Sequence, residues 1–590
     1  MRLSVTHTKN NTYFYMIKSF RNNGKNTTKI IECLGNLEEV TKKANGEDPV
    51  IWAKNYVKQR TNEESENNCT YFEKLVEGED LDSNQKIYNI GHIFIRKIFE
   101  ELELNQLCKK IKKKYKIEYE LSDILEDLIC TRIMYPSSKF SSYEDSKKFL
   151  RQPKYKLYDV YRALDVISKE KETIEKWCYE KSLSIIKERN TKVLYYDCTN
   201  YFFEIEMEDN DDLKNKKQGL RKYGKSKENR PLPIAQMGLF IDGTGYPLAF
   251  NINSGNTNEQ TTLRPLEKQI MEDFKLSKFL VCTDAGLGSF CNRDFNTKGD
   301  RIYIVTQSLK QLPSEYQTDA LSLLGWHILG SNNSINISKI NKYDPKNKNI
   351  YYKEVLMKRT KNDAKTKKKI TLNERMIVTF SPKYAAYQKN IRDAQILRAK
   401  EIIEKCPEQF SKLPQNNAKR FIKKENITDD GECAEKYKLY YKENLEKYEA
   451  QFDGLYALCV PEKTEGNIEE ILQISKGRWE IEESFRIMKS EFKARPVYLH
   501  LDERIKAHFT ICYLSLLVYR ILEKEKLQDK YTTEEIISTL KDMLSNKVDG
   551  LGFKQLYQKS KITTDLNSNY EFNLDQKFIS LKSFKKFLKF

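Results

Sequence analysis

The stretch Gly477-Arg-Trp-Glu-Ile-Glu-Glu-Ser-Phe-Arg-Ile-Met-Lys489 constrains this chain more than any other, because it spaces acids and cations at helical intervals. Residues three, four and seven apart share a helix face, so Arg478, Glu482, Phe485, Arg486 and Lys489 fall along one side. From Arg478 to Glu482 a helix turns about 40° past one full turn, and from Glu482 to Lys489 it stops about 20° short of two. One carboxylate is then bracketed by two cations, with Arg486 alongside. An ion-pair ladder on a solvated helix has the same spacing. Two upstream acids argue for more than a ladder. Asp197 ends the apolar run Val193-Leu-Tyr-Tyr-Asp197, and Asp284 ends Phe279-Leu-Val-Cys-Thr-Asp284. An unpaired carboxylate at the end of a buried strand is costly. Two of them plus a helical Glu form the donor set of a divalent-metal site for phosphoryl transfer.

Charge points to the partner. The 590 residues carry 103 Lys and Arg against 85 Asp and Glu, a net charge of +18. Such a surplus favours a polyanion through phosphate neutralisation and counterion release. The twelve Cys are scattered singly without a Cys-x-x-Cys, and His508 with Cys512 is the one close Cys/His pair. This argues against structural zinc and a disulfide framework, and for a reducing cytoplasmic setting. The start of the chain lacks an apolar signal core. The apolar run Phe509–Leu522 is read as a buried helix, too short to span a bilayer, so no membrane partner is expected.

In chain order, residues 1–60 hold two alternating runs, Thr12–Ile17 and Lys29–Leu34, joined by the turn Arg21-Asn-Asn-Gly24; this is a β-hairpin region. Residues 61–87 are polar and acidic and read as a linker. Residues 88–190 show helical spacing over Ile90–Leu104, Leu121–Met134, Tyr158–Ile167 and Ile174–Ile186. With the basic cluster Lys109–Lys114 and the break Pro136-Ser-Ser-Lys139, this block is the candidate DNA-binding domain. From 191 the pattern turns to strands at Val193–Cys198, Ile234–Asp242, Tyr246–Ile252, Phe279–Asp284 and Ile302–Thr306, with a helix over Glu259–Phe274. The pattern alone says α/β. Further on, Asn349–Leu356, Arg375–Phe380 and Phe452–Val460 read as strands, with a basic loop at Lys361–Lys369. Ala385–Lys405 and Cys433–Glu449 read as helices. Residues 531–590 form a C-terminal basic region, ending in the amphipathic Lys582–Phe590.

The chain resembles the DDE transposases of bacterial insertion sequences, in the group with a Tyr-x2-Arg-x3-Glu-x6-Lys signature. Arg478, Glu482 and Lys489 fit the last three positions without gaps, and Ser475 stands where the signature has Tyr. Asp197-Cys-Thr-Asn-Tyr-Phe-Phe-Glu204, Gly224-Lys-Ser-Lys-Glu228, Ser254-Gly-Asn-Thr257, Thr283-Asp-Ala-Gly286, Arg495-Pro-Val-Tyr498 and Asp502-Glu-Arg-Ile-Lys-Ala-His508 are similar too. The resemblance spans about residues 85 to 525. It implies an RNase H-like catalytic core in two parts, 191–309 and 461–530, around an inserted domain, 310–460, that contains β-structure.

On this resemblance Asp197, Asp284 and Glu482 are the catalytic carboxylates and hold two Mg²⁺ ions, for which Mn²⁺ substitutes. Arg478, Arg486 and Lys489 contact DNA phosphates; Trp326, the only Trp of the inserted domain, is either a core residue or the ring on which a flipped base stacks. Double-stranded DNA, as terminal inverted repeats and target, is the implied partner, with a homodimer in the active complex. Glu480 and Glu483 compete with Glu482 by proximity but lie on other faces. A metal-dependent nuclease of the same fold without strand transfer, or a catalytically silent transposase-derived DNA-binding protein, are the alternatives.

Overall fold

Alternating residues at the start of the chain build a three-stranded antiparallel sheet from β1 (Arg2–His7), β2 (Thr12–Asn22) and β3 (Lys25–Asn36). Phe14, Met16 and Leu34 form a small core with Val40 of α1 (Leu37–Ala44) and with Ala53 and Val57 of α2 (Pro49–Asn67). Asn36 and Glu39 close a capping box at the head of α1, each side chain accepting the other's backbone N–H at 2.9 and 3.0 Å. The computed structural model describes residues 1–8, 11–22, 25–67, 86–211, 214, 218–331, 333–362, 367–407, 410, 417–427 and 436–588. It divides into two compact units, Met1–Asn84 and Gln85–Phe590. Part of the expected turn at 21–24, most of the expected linker and the middle of the basic loop at 361–369 lie outside the described residues. Residues 61–67 are not linker but the last turns of α2.

The second unit opens with β4 (Lys86–Asn89), which also takes Lys86 and Ile87 out of the expected linker. Six helices follow: α3 (His92–Glu101), α4 (Leu104–Tyr115), α5 (Leu121–Met134), α6 (Lys139–Ser146), α7 (Leu157–Lys169) and α8 (Lys171–Ser182). Next come β5 (Val193–Phe202), β6 (Ile234–Asp242), β7 (Pro247–Ser254), α9 (Leu263–Asp273), β8 (Leu280–Thr283), α10 (Phe290–Phe295) and β9 (Ile302–Thr306). The segment after β9 contains α11 (Ser314–Leu321), β10 (Trp326–Ile328), β11 (Ser334–Ile335), β12 (Tyr351–Asn362), β13 (Lys369–Phe380) and α12 (Pro382–Lys405). It ends with β14 (Ile422–Ile427), β15 (Lys436–Tyr441), α13 (Glu443–Gln451) and β16 (Leu455–Pro461).

Ten of these strands make one mixed sheet in the order β11-β10-β12-β13-β16-β9-β8-β5-β6-β7. The pairs β5–β8 and β8–β9 are parallel; the other neighbours are antiparallel. The expected inserted domain therefore does not stand apart, because β16 hydrogen-bonds directly to β9 through Leu458↔Thr306 and Cys459↔Val305. The boundary at residue 460 falls inside β16. Residues 433–449 are not one helix either. Tyr437, Leu439 and Tyr441 alternate with Lys436, Lys438 and Tyr440, a strand period, and β15 pairs with β14 before α13 begins.

The chain closes with α14 (Ile468–Lys476), α15 (Trp479–Arg486), a π turn at Ile487–Glu491 and α16 (Asp502–Arg520), which continues as a second π turn to Lys526. The helix Asp502–Lys526 is longer than expected and, by length and composition, long and apolar enough to cross a membrane. Its apolar window is 94% buried inside the protein, where it packs on α5 and α7. After it come α17 (Thr533–Asp542), β17 (Leu544–Val548), β18 (Gly552–Gln555), α18 (Lys561–Asn569), β19 (Phe578–Ser580) and α19 (Leu581–Leu588). This end is no loose basic tail, for β17 pairs with β4 and Phe584 is buried against Phe553. The side chains of 585–590 lie outside the described residues.

Candidate active site

The helix that carries the signature lies against β5 because residue 477 has no side chain. A Cβ at Gly477 would meet the Tyr195 phenol oxygen at 2.1 Å, and that phenol donates to the Ile474 carbonyl at 2.9 Å. The close approach brings Arg478 over the centre of the sheet. Its guanidinium donates to Thr306 Oγ1 at the end of β9 (2.9 Å) and lies 3.5 Å from Glu482.

Asp197 does not end its strand. It is the fifth residue of β5, which runs on through Thr199 and Asn200 to Phe202. The parallel register pairs Tyr195 with Cys282, so two residues further Asp197 comes level with Asp284, just beyond β8. Asp284 caps the turn Ala285–Leu287, accepting the Leu287 N–H at 3.2 Å. Burial pushes the Asp197 carboxyl up to about 6; Lys227 opposes this, Asp284 adds to it, and Arg478 opposes it again. Two carboxylates thus come level on neighbouring parallel strands, Asp197 in the middle of β5 and Asp284 just past the end of β8, with Asp197 disfavoured as an anion.

Glu482 is not gathered with them. Its side chain is 65% exposed, and among the described residues no three His, Cys, Asp or Glu side chains form a cluster able to hold a metal ion. Three carboxylates repel unless positive charge stands among them. Here Arg478 supplies it, acting on both Asp197 and Glu482.

The expectation of one continuous helical face holds only to Arg486. The π turn at Ile487–Glu491 re-aims Lys489 inward, 3.9 Å from Glu228 and over the Tyr201 ring at 5.7 Å. Burial and the neighbouring Lys227 lower the Lys489 ammonium to about 8, against the pull of Asp197. Lys489 is therefore a neighbour of Asp197. Arg486 turns outward and pairs with Glu483 at 2.6 Å and Glu491 at 3.6 Å. Glu480 points the other way, into a buried pairing with Lys524 (3.0 Å) and Arg520 (3.7 Å).

Trp326 is not available for base stacking. It is 3% exposed, its Nε1 donates to the Ser322 carbonyl at 2.9 Å, and Phe380 meets its ring edge-on. The alternation of β10 turns it into the core between that strand and β13. Trp326→Ala is expected to cost about 3–5 kcal/mol of stability while activity per folded molecule stays unchanged, as denaturation curves run beside activity assays would register.

The site also includes residues to which no role could be given from the sequence. Lys227 donates to the Cys198 carbonyl next to Asp197 and lies 3.7 Å from Glu259, and Arg495 pairs with Glu228. Both belong to segments whose resemblance is plain in sequence, which was the available signal. Tyr456 had none. Its hydroxyl reaches Thr306 Oγ1 at 3.0 Å and Ser475 Oγ at 3.5 Å, so a phenol from β16 stands over the serine found at the signature's Tyr position.

A mixed sheet with two acids on its parallel strands and a helix bearing both Glu and Arg across it defines a mixed α/β protein. The chain belongs to the transposase DDE domain family, whose model matches residues 204–518, just over half its length. Asp284 and Glu482 lie within the match and Asp197 just ahead of it. No curated protein matches the sequence. Among solved structures, the chain is similar to the piggyBac transposase in a synaptic complex with hairpin DNA, at 9% identity over 77% of this chain and 78% of that one, with a TM-score of 0.34. It is also similar to the Mos1 transposase in a paired-end complex with the left transposon end, at 10% identity over 44% of this chain and 68% of that one, with a TM-score of 0.13.

Proposed function

We propose that this protein binds the ends of its own insertion sequence, cuts them, and joins the exposed 3′-hydroxyls to target DNA. The reading is carried by the convergence of Asp197 and Asp284 beside Arg478, in a chain of the DDE transposase family. On this reading the five strands β7-β6-β5-β8-β9 are an RNase H-like core, and β16, β13, β12, β10 and β11 extend it. Asp197, Asp284 and Glu482 would hold the divalent metal, Mg²⁺ as two ions with Mn²⁺ as substitute; a raised carboxyl pKa with a second acid beside it suits a hard cation. The bound metal supplies charge to the attacking and leaving oxygens. Arg478 leaves Glu482 free to turn toward the aspartates by shifting its charge to a DNA phosphate. Lys489, held inward by the π turn, faces the same phosphate, and Arg486 meets the backbone further out. A homodimer would hold both element ends, in the cytoplasm.

The experiment is cleavage of a labelled duplex carrying the inverted repeats that flank the gene, with a second duplex as target. Expected are 3′-hydroxyl ends followed by joined products. Cutting without joining would leave a nuclease, and binding without cutting a silent descendant. Binding itself should weaken steeply with salt, because each neutralised phosphate contributes about 0.9 to the slope of log K against log salt. A titration of affinity at rising chloride measures this, and a flat response would count against the polyanion reading.

A further inference from the structure

Helix α6 begins after the break Pro136-Ser137-Ser138, and its first residue, Lys139, is turned inward. The side chain is 4% exposed and its ammonium has no hydrogen-bond partner among the described residues. Arg132 on α5 is 2% exposed and donates only to carbonyls: Phe492 (3.0 Å), Lys493 (3.4 Å) and Ser137 (3.0 Å). Its Nε is unpartnered as well. A buried cation without a counter-charge is among the most expensive arrangements in a protein interior; burial, then Arg132, accordingly hold the Lys139 amine well below its ordinary range, and an anion beside it would restore the charge.

Both cations line a cavity of about 120 Å³, with Ser138, Lys493, Arg495 and His508; no acidic residue lines it among the described residues. His508 offers no counter-charge, since an imidazole is never an anion here, and its Nε2 donates to the Ala494 carbonyl at 3.1 Å. Burial, then Arg132 and Lys139, keep that ring neutral, its pKa well below the ordinary value. The first turn of α6 borders the same space, adding the positive end of a helix.

We propose that this cavity binds a phosphate group. An ammonium, a guanidinium framed by carbonyls, a serine hydroxyl and a helix start present several donors and no acceptor charge. That pattern fits an anion with several oxygens. The group has two possible sources. Arg495 at the cavity pairs with Glu228, Glu228 faces Lys489 at 3.9 Å, and Lys489 neighbours Asp197. A backbone phosphate of bound DNA would sit at the end of that chain of charges; this source rests on the transposase reading. Free inorganic phosphate is the other.

The test is calorimetric titration of inorganic phosphate into the full-length protein, in chloride buffer at constant ionic strength. Saturable binding of one phosphate per chain is expected. Lys139→Met keeps the side chain's length and removes its charge, and should weaken binding about tenfold or more. Ser137→Glu, at an exposed residue lining the cavity, brings in a competing carboxylate and should do the same, so the outcome does not depend on Lys139→Met folding. A short duplex that displaces the phosphate identifies the DNA backbone as the source; simultaneous binding of both identifies free phosphate. Absence of saturable binding in the unaltered protein, or binding by both variants as tight as that of the unaltered protein, overturns the proposal. Because the readout uses no cleavage, it stands or falls separately from the assigned reaction.

Discussion

Glu482→Gln and Asp197→Asn should each abolish cleavage and joining together while DNA binding survives. Both substitutions keep side-chain size and remove the negative charge that a hard cation needs. Charge stabilisation of that kind is worth several kcal/mol, so a loss of about a thousandfold or more is expected. Binding rests on Lys and Arg elsewhere and should change little. The two variants differ in stability. The Asp197 carboxyl is held at about 6 in the fold, above an unfolded value near about 3.9. An acid whose folded pKa is raised destabilises the fold when ionised; the penalty is absent below the unfolded value and complete above the folded one. Asp197→Asn should therefore be more stable than the unaltered protein at pH 8 and equal to it near pH 4. Glu482 is 65% exposed and pairs with Arg478, so Glu482→Gln removes no buried charge. Glu483→Gln is the clean control on the helix, whereas Glu480→Gln would disturb the buried pairing with Lys524 and Arg520 and lower stability. Thermal unfolding at the two pH values, beside end cleavage, measures all four. Near-normal cutting by either active-site variant would sink the assignment.

Glu374→Gln should strongly destabilise the fold itself. Glu374 on β13 is fully buried and accepts from Arg293 (2.6 Å), Tyr303 (2.7 Å) and Arg359. Burial alone would raise its carboxyl, but Arg293, Arg359 and the tyrosine outweigh it and hold it below the usual carboxylate range. Removing the charge leaves two guanidinium groups without their counter-ion, one of them buried, at a cost of about 3–5 kcal/mol. The sign with pH is opposite to that of Asp197. A depressed acid stabilises above its unfolded pKa and loses that contribution as pH falls through the folded value, so the gap between Glu374→Gln and the unaltered protein should close in acid. Denaturant titrations at pH 7 and at pH 3 to 4 measure the difference; a gap that persists unchanged in acid would contradict the ion-pair account.

Much of the architecture near the site was legible because the signal was local. Ile234–Asp242, Ile302–Thr306 and Leu121–Met134 are elements over the same residues that their periodicity marks. The misses came from interactions that no local window contains. The strand through Asp197 continues because β6 pairs with it as far as Phe202, over polar residues that a hydrophobicity reading stops at. The pairing of β16 with β9 joins segments about 150 residues apart and erases the expected domain boundary. The π turn that redirects Lys489 leaves no mark in composition, and the rotation it introduces defeats an ideal-helix projection. Of the two readings of Trp326, core residue and stacking ring, the structure has the core one, for a large apolar ring on a short strand is first a packing residue.

The seam between β16 and β9 also bears on what evolution or an engineer can remove. Residues 310–460 look like a cassette in the sequence, yet their last strand is the wall that closes one flank of the strands bearing Asp197 and Asp284. Excising the cassette would strip β9 of its partner and bare a hydrophobic edge within one strand of Asp284, inviting other chains to pair there. It would also take away Tyr456 and loosen Thr306, the anchor of Arg478. Shortening should therefore be tolerated only beyond β12, toward the far rim of the sheet, and a minimal version of this protein would have to keep β13 and β16 as part of the engine.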